Sequence, residues 1–441
     1  MSETSSQGQQ PAATPVYILR GHAAPIHALH VFSQNLRLVS GDAEGWVVIW
    51  DIVTKRPVTV WKAHEGAVLE LKAFQVAAGV SEIYTHGRDH KLCVWKLRAE
   101  DEEFLSKTLP VDVSESERSK NATQPWLLHS LPVNALNFCA FSMTFLDISS
   151  SKSAQSTPEQ VPSRVVLFAV PNALDSGGID VFHLPSERRI TTIASDPATK
   201  TGMVMAVNMF VSSSGDVYVA SAYEDGHVMV FIHKGALTPA SFELGTIASS
   251  PWKWEKLYAS RAHSQPVLSL DVSSTRDYFI TSSADALLIK HPIPSPHSAG
   301  YIPTANYAED KPLKTVNTKH SGQQGLRMRS DGKIFATAGW DSRIRVYSGK
   351  TMKELAVLKW HKEGCYTVAF GDADLFSQPI PSHTQEPTTP DEANESDSGK
   401  ILSDQSLSLA AIHNQRNEKV QRTHWLAAGS KDGKISLWDI Y

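Results

Sequence analysis

The sequence predicts an all-β protein folded as a single seven-bladed β-propeller, and three observations predict it. A strand–turn–strand pattern recurs along the chain, with an acidic turn residue six positions before an aromatic residue. A histidine precedes most copies and leads into an apolar segment of strand type. The last copy lacks its final strand, and a β-prone segment near the N-terminus can supply it. Seven such units, closed by that segment, form a ring.

The repeat is clearest in the last residues, AAGSKDGKISLWDIY, where Asp432 stands six residues before Trp438. A glycine turn and an alternating apolar face lie between the two, which is the pattern of a tight hairpin. Sliding this template back along the chain finds six further copies. Their turn and aromatic positions are Glu44 and Trp50, Asp89 and Trp95, Ser176 and Phe182, Asp225 and Phe231, Asp285 and His291, and Asp341 and Tyr347.

Two more positions recur around the hairpins. The leading histidines are His22, His64, His263, His320 and His361. Small hydroxyl residues stand four positions before the turn acid at Ser40, Thr85, Ser221, Thr281 and Thr337, whereas Ala428 breaks the rule in the last copy. We expect a buried relay in each blade. The turn carboxylate accepts from the histidine, the histidine reaches the hydroxyl, and the tryptophan N–H ends the chain.

The same residue types also form the catalytic triad of a hydrolase. A catalytic triad occurs once in a chain, whereas this set recurs in copy after copy, so the repetition favours a structural role. The predicted relay residues are His22, Ser40, Trp50, His64, Thr85, Asp89, Trp95, His263, Thr281, Asp285, His320, Thr337, Asp341, His361, Asp432 and Trp438. The second copy holds all four members of the relay.

One ring accounts for the whole chain. We assign residues 15–20 to the last blade, as the outer strand beside residues 434–440, because this closure removes two open sheet edges. The propeller then spans residues 15–441, after a polar, disordered tail at residues 1–14. Low hydrophobicity, proline and acidic residues predict disordered loops at three inserts, which are either tolerated surface insertions or docking and phosphorylation segments. The inserts are residues 98–121, 149–163 and 372–420.

Composition and motifs exclude several classes of function. The net charge of −4 gives no overall attraction to nucleic acid or to an anionic membrane. The three cysteines form no Cys-x-x-Cys pair, and the 18 histidines show no ligand spacing. The sequence contains no phosphate-binding, dinucleotide-binding or kinase motif. We therefore expect no catalytic, metal or cofactor site, and an intracellular protein, since the polar N-terminus has no signal-peptide character.

Recognition at a surface remains as the role of such a ring. In a propeller, the residue before each turn acid is displayed on the rim of the face that carries these turns, here called the top face. Trp340 stands out because tryptophan and arginine are enriched at binding hot spots. Packing of Trp340 against a neighbouring loop is the structural alternative. The candidate partner-surface residues are Arg88, Glu224, Trp340 and Lys431.

Taken together, the repeats resemble the WD-repeat propellers of the G-protein β-subunit type. The resemblance covers residues 15–441. Within that class, the segments YILRGHAAPIHALHVF, LVSGDAEGWVVIWD and KAHEGAVLELK, with the ending GSKDGKISLWDIY, resemble the fungal ASTRA-associated WD-repeat family. That family is related to the animal G-protein β-subunit-like WD-repeat protein. Residues 17–71 carry the most specific part of the resemblance.

This resemblance implies a nuclear, non-enzymatic scaffold subunit of the ASTRA complex, with roles in chromatin remodelling and regulation and in co-chaperoning phosphatidylinositol-3-kinase-like kinases. It implies three classes of partner: a kinase-like protein of the Tra type, helical-repeat co-chaperones, and RuvB-like AAA+ ATPases. Two other functions use the same fold. One is a substrate receptor of a ubiquitin ligase. The other is a WD-repeat hydrolase, which requires a polar cluster in the central channel, and the sequence predicts none.

Overall fold

The strands of the chain form seven separate four-stranded antiparallel sheets. This arrangement confirms the predicted seven-bladed propeller. Six sheets are built from strands that follow one another in the chain, and the seventh also takes in the first strand. The computed structural model describes residues 13–113, 123–136, 138–146, 165–235, 237, 242, 252–296, 310–377 and 409–440.

The strands are numbered in chain order, and the first one, β1 (Tyr17–Arg20), belongs to the last blade. From the inner strand outward, blades one to three contain β2 (Ile26–Phe32), β3 (Arg37–Asp42), β4 (Trp46–Asp51), β5 (Arg56–Lys62), β6 (Val68–Ala77), β7 (Val80–Gly87), β8 (Lys91–Arg98), β9 (Trp126–Pro132), β10 (Ser142–Leu146), β11 (Val165–Pro171), β12 (Ile179–Leu184) and β13 (Arg188–Ile193).

Blades four to six contain β14 (Val204–Val211), β15 (Val217–Tyr223), β16 (His227–His233), β17 (Trp254–Arg261), β18 (Val267–Val272), β19 (Tyr278–Ser283), β20 (Leu287–Pro292), β21 (Lys314–Asn317), β22 (Gln323–Met328), β23 (Ile334–Gly339), β24 (Arg343–Ser348) and β25 (Glu354–Lys359). Blade seven contains β26 (Cys365–Phe370), β27 (Trp425–Ser430), β28 (Lys434–Asp439) and β1.

Blade seven closes the ring in the predicted way. Strand β1 pairs antiparallel with β28, with Tyr17 opposite Leu437 and Arg20 opposite Lys434. Leu19 is buried in the same apolar cluster as Leu437. The N-terminal strand is therefore held by backbone hydrogen bonds and by packing, and it covers an edge of β28 that would otherwise be open.

Burial changes from the channel outward. The second strand of a blade is covered on both faces by neighbouring blades, and β15 (VYVASAY) is buried at every position. The outer strand β9 is mostly exposed or half-buried. The inner strand β2 is buried except at the half-buried His27 and His30, because one side of an inner strand faces the channel. Channel-facing side chains therefore come from the inner strands.

The first predicted insert is ordered over the part that the structure describes. Short 3₁₀ helices span Ala99–Glu103 and Pro110–Asp112. Leu105 is buried in the apolar cluster that contains Trp61. The prediction of disorder is therefore wrong for residues 98–113, because an apolar anchor within a charged segment fixes it to the ring. Outside the described residues lie 114–121 and the whole of the second insert, 149–163.

The third insert also contains regular structure. A 3₁₀ helix spans Asp374–Ser377, and an α-helix, α1, spans Leu409–Gln421. Val420 is buried in the core, where its carbonyl accepts a hydrogen bond of 2.8 Å from the Trp425 indole. The prediction of disorder is therefore wrong for this helix, whereas residues 378–408 lie outside the described part. No helix among the described residues is long and apolar enough to cross a membrane.

Asn35 ties both ends of this insert to blade one. Its side-chain amide donates to the carbonyls of Asp372, at 3.0 Å, and Gln421, at 3.1 Å, and its Oδ1 accepts from the backbone N–H of Asp372 at 2.7 Å. Asn35 is buried and has a φ of 65°, a left-handed conformation that asparagine tolerates better than most residues. The insert therefore leaves and rejoins the ring at one fixed point on the face opposite the top face.

Candidate functional site

Blade two contains a complete relay. Nδ1 of His64 lies 2.9 Å from Asp89, and Nε2 lies 2.8 Å from the Thr85 hydroxyl. The Trp95 indole N–H donates to the same hydroxyl at 3.0 Å. Partial burial acts to raise the pKa of Asp89, but hydrogen bonds from His64 and from the Glu65 backbone hold it below its ordinary value. The loop before β6, the β7–β8 turn and the two strands each supply one member.

Blade five has the same relay with a histidine in the tryptophan position. His263 lies 3.1 Å from Asp285 and 2.8 Å from the Thr281 hydroxyl. Nε2 of His291 lies 3.1 Å from that hydroxyl, and Nδ1 lies 3.0 Å from the Tyr258 hydroxyl. Burial, aided by the nearby His263, lowers the pKa of His291 to about 3. His291 is therefore neutral at physiological pH, and its ring forms hydrogen bonds with the Thr281 and Tyr258 hydroxyls.

Blade one takes its carboxylate from a residue that the sequence analysis did not single out. His22 lies 2.7 Å from both Asp42 and the Ser40 hydroxyl, and Trp50 donates to Ser40 at 2.9 Å. The predicted turn acid, Glu44, lies on the rim, where its backbone N–H donates to Asp42 at 2.9 Å. The period of two in β3 places Ser40 and Asp42 on one face, a signal that was available in the sequence.

Blade seven takes its hydroxyl from the neighbouring strand. Ala428 and Ser436 are direct cross-strand partners. His361 lies 2.8 Å from the Ser436 hydroxyl, and the Trp438 indole donates to it at 2.8 Å. The alanine that broke the sequence rule is therefore compensated by a serine across the ladder. Sequence reasoning missed Ser436 because the compensation is visible only when the strand register is known.

The predicted partnership between His361 and Asp432 is not formed as a hydrogen bond. Their closest approach, from Nδ1 to Oδ1, is 3.9 Å. Asp432 instead accepts from the Lys434 ammonium at 2.7 Å, within its own turn. Burial lowers the pKa of His361 to about 4, which keeps its ring neutral. This corrects the predicted role of Asp432, because the adjacent lysine competes for the carboxylate.

Blade six departs furthest from the predicted relay. Gln323 occupies the buried position, where its Oε1 accepts from the Thr337 hydroxyl at 2.7 Å. Asp341 forms two bonds to the buried Arg345 guanidinium, at 2.6 and 3.1 Å. His320 lies at the surface, 45% exposed and 3.8 Å from Asp341. The prediction for His320 is corrected, because Gln323 fills the interior and Arg345 takes the carboxylate.

Blades three and four have no leading histidine, and each has its own network. In blade four, the Ser221 hydroxyl bonds to the Tyr223 hydroxyl at 3.1 Å. In blade three, Asn172 donates to Asp180 at 2.9 Å. Glu224, predicted as a partner-surface residue, is exposed and accepts from the backbone N–H of Met203, directly before β14, at 3.2 Å. These two blades therefore keep the propeller geometry without the relay.

A ring of polar side chains lines the central channel, whose cavity measures about 630 Å³. Each member pairs across the inner ladder with the residue directly before the relay-hydroxyl position, so the members are structurally equivalent. The members are His30, Lys72, Asn208, Asp271 and Arg327. The sequence analysis predicted no polar cluster in the channel, and that prediction is wrong. Polar residues recur at equivalent positions of several inner strands, and this recurrence in the sequence could have predicted the polar channel.

The polar ring joins neighbouring blades. His30 of blade one accepts the Ala73 backbone N–H of blade two at 3.1 Å. Asp271 of blade five accepts the Met328 N–H of blade six at 2.8 Å and the Asn208 amide of blade four at 3.2 Å. Burial raises the pKa of Asp271, and the neighbouring cations oppose that shift. These side chains satisfy backbone groups at the inner ends of the blades.

One ion pair bridges the channel. The guanidinium of Arg327, from blade six, contacts the carboxylate of Glu70, from blade two. Burial lowers the pKa of Lys72, and the carboxylates of Glu70 and Asp271 oppose that shift. The Glu70 and Asp271 carboxylates are thus held by cations and by backbone N–H groups. Among the described residues, no three His, Cys, Asp or Glu side chains are grouped as ligands for a metal ion.

On the top face, Trp340 is both packed and exposed. Its ring lies so close to Gly322 that a Cβ added there would approach the ring to 2.1 Å, and its indole donates to Gln324 at 2.7 Å. It remains 48% exposed. Loop packing thus fixes one side of the ring and leaves the other available to solvent. Lys431 is also exposed, and its backbone N–H donates to Gly364 at 2.9 Å.

Arg88 is another of the candidate partner-surface residues. It lies over Phe138, with the guanidinium carbon 3.9 Å from the ring centroid. Phe138 is 59% exposed, and the nearby Leu136 is 61% exposed. The sequence analysis did not single out either apolar residue, because the segment between β9 and β10 follows no repeat. Only their place in the fold, on the loop that leads from the outer strand of blade two to blade three, identifies them.

Comparison with known proteins gives one family. Residues 15–438 match the family described as ASTRA-associated protein 1. A relative with that name from Penicillium rubens is 68% identical over 444 residues, which cover 100% of each chain. The Aspergillus flavus relative is 59% identical and covers 98% of each chain. The Schizosaccharomyces pombe relative is 32% identical over 81% of this chain and 93% of its own.

Proposed function

Because the chain belongs to the ASTRA-associated protein 1 family, we propose that it is a non-enzymatic scaffold subunit of an ASTRA assembly. The name of the relatives supports membership of a protein complex. The geometry supports the role of a scaffold. The relay residues of blades one, two and five and the Asp271 and Glu70 carboxylates of the channel are engaged with their neighbours. Trp340, Arg88 and Phe138, in contrast, present exposed surface on the top face.

The observation that carries the proposal is the exposure of Trp340 on a fixed backbone. A half-exposed tryptophan with one side packed is already ordered before a partner binds, so it loses little conformational entropy in the complex. Arg88 has the same property, because stacking on Phe138 restricts its guanidinium. Partner binding through these two residues is the core of the proposed function.

The proposed assembly includes three classes of partner: a Tra-type kinase-like protein, helical-repeat co-chaperones and RuvB-like AAA+ ATPases. The proposed setting is the nucleus, with roles in chromatin remodelling and regulation and in the co-chaperoning of phosphatidylinositol-3-kinase-like kinases. A fluorescent fusion of the full chain tests the location. A signal that is excluded from the nucleus would contradict this part of the proposal.

A hydrolase is the second candidate, and the polar ring of the channel is the observation that favours it. Hydrolysis of an ester needs a nucleophile or an activated water beside a general base with free lone pairs. In the channel, Asp271 accepts from Met328 and Asn208, and Glu70 is bound by Arg327. The scaffold therefore ranks first. Hydrolysis of a model ester that is lost in Asp271→Asn would reverse the order.

Affinity purification of the tagged full-length chain from its native host, followed by mass spectrometry, tests the scaffold. We expect kinase co-chaperones and AAA+ ATPases to co-purify. Recovery of a cullin adaptor in their place would contradict the proposal and favour a ubiquitin-ligase receptor. The variant Arg88→Ala/Trp340→Ala should lose these partners. Its matched control is Trp126→Ala/Lys333→Ala, which removes an exposed tryptophan and an exposed lysine away from the top face and should retain them.

A further inference from the structure

Five side chains form an arc on the top face: Trp340, Tyr366, His27, Arg88 and Phe138. We call them the top-face arc. Gly364 connects the first two, because its Cβ position lies 3.2 Å from the Trp340 backbone and 3.4 Å from the Tyr366 ring. Tyr366 and His27 are edge to face, with centroids 5.7 Å apart. The arc thus crosses from blade six, through blades seven and one, to blade two.

The second half of the arc is joined by charge and stacking. Burial lowers the pKa of His27, the Asp42 carboxylate opposes that shift, and the guanidinium of Arg88 adds to it. Arg88 in turn lies over Phe138 at 3.9 Å. Both ends of the arc are therefore exposed aromatic rings, and cationic or neutral polar groups lie between them. Exposed aromatic rings on a rigid rim are typical of a partner site.

Three exposed cations near the arc form no ion pair with a carboxylate of the described residues. The turn carboxylates point inward or along their own turns, with Asp89 bound to His64 and Asp432 bound to Lys434. The nearest exposed cations have no such partner. Within the described part of the chain, no carboxylate forms an ion pair with Arg88, Lys362 or Lys431. These three cations are thus available to carboxylates of a partner.

We infer that the top-face arc binds an acidic protein segment that carries aromatic or large apolar anchors. The inference rests on the proposed scaffold function and adds the chemistry of its partner. The anchors pack on Trp340 and Phe138, and the carboxylates between them meet Arg88, Lys431 and Lys362. A polyanion such as nucleic acid fits less well, because the chain has a net charge of −4 and the cations are spaced singly between aromatic rings.

The test uses a random twelve-residue peptide library displayed on phage and selected on the full-length chain. We expect the enriched peptides to be rich in Asp and Glu and to contain Trp, Phe or Leu. The dissociation constant of an enriched peptide, measured by fluorescence anisotropy, should rise about thirtyfold in Trp340→Ala, which corresponds to the loss of one hot-spot side chain. Arg88→Glu should weaken binding at least as much, and binding should weaken as salt is raised.

Matched variants and competitors make the outcome decisive. Trp126→Ala and Lys333→Glu should leave the constant unchanged, since both residues lie away from the arc. Enrichment of basic or neutral peptides, peptide binding unaffected by Arg88→Glu, or stronger competition by a single-stranded oligonucleotide would each overturn the inference. If complex capture requires Arg88 and Trp340 but the selected peptides are not acidic, the partner chemistry is wrong and the scaffold function stands.

Discussion

Blades two and six have the same four strands and similar hairpins, yet their interiors are organised differently. In blade two, His64 is buried and joins Asp89 to Thr85. In blade six, the histidine at the corresponding sequence position, His320, is 45% exposed, and Gln323 bonds to the hydroxyl in its place. The strand pattern therefore fixes the blade, and the relay is one of several networks that can satisfy its interior.

The difference also bears on function. Because Arg345 donates two hydrogen bonds to Asp341, blade six balances the charge of its turn carboxylate without a histidine. His320 is released to the rim, where Trp340 is the most exposed tryptophan of the top face. Blade two pairs an intact relay with an exposed Arg88 just before its turn acid. The proposed binding residues thus occupy the rim whether or not the relay below them is kept.

The sharpest test of the comparison between blades two and six replaces the histidine of each blade, His64 or His320, by alanine. His64→Ala removes a buried ring together with its hydrogen bonds to Asp89 and Thr85, so we expect it to lower the unfolding free energy by about 2–4 kcal/mol. His320→Ala should change it by less than about 0.5 kcal/mol. Urea denaturation measures both. Equal effects would mean that His320 also belongs to the core.

Lowering the pH should reduce the unfolding free energy through a buried histidine such as His291, but not through an exposed one such as His320. The folded-state pKa of His291 is about 3, below the ordinary value near 6.5, so between those values the unfolded chain binds the proton. Its contribution to stability is complete at high pH and is lost as the pH falls. Between pH 7 and 5 the loss is about 2 kcal/mol. His291→Gln should remove that part of the pH dependence, whereas His320→Gln should leave it unchanged.

The third prediction concerns the residue that replaces the histidine in blade six. Gln323→Ala should lower the unfolding free energy by about 1–2 kcal/mol, because it leaves the buried Thr337 and Tyr347 hydroxyls without their acceptor. Gln324→Ala, at the adjacent half-buried position, is the matched control and should cost less. A Gln323 variant as stable as the control would show that blade six has no internal network to lose.

The sequence predicted the ring because strand alternation and hairpin turns are local signals. The spacing from Asp89 to Trp95, and the free strand at residues 15–20, follow from periods of two and from turn chemistry. Ser436 and Gln323 could not be predicted in the same way. Each replaces a missing relay member from another strand or from a different loop position, so its role depends on register and on three-dimensional packing.

The predictions for the inserts and the channel were wrong for a different reason. They relied on residue composition and did not account for where the residues lie in the fold. Residues 98–113 read as charged and turn-rich, yet Leu105 fixes them to the core. The polar residues of the inner strands, such as Lys72 and Arg327, fit the alternation of a strand with one side toward solvent. In a closed ring that side is the channel, where Arg327 of blade six contacts Glu70 of blade two. Their environment depends on closure of the ring, and no local sequence pattern predicts that environment.

The central claim is that the relays hold the fold and the rim binds the partner, and one experiment separates the two. Thermal melting and partner capture are measured together for Asp89→Ala and for Arg88→Ala/Trp340→Ala. Asp89→Ala should cost about 1–3 kcal/mol of stability and, below its melting temperature, retain the partner. The double variant should melt like wild type and bind about thirtyfold more weakly. A double variant that loses stability together with binding would make Trp340 a core residue. One that retains both would place the interface elsewhere.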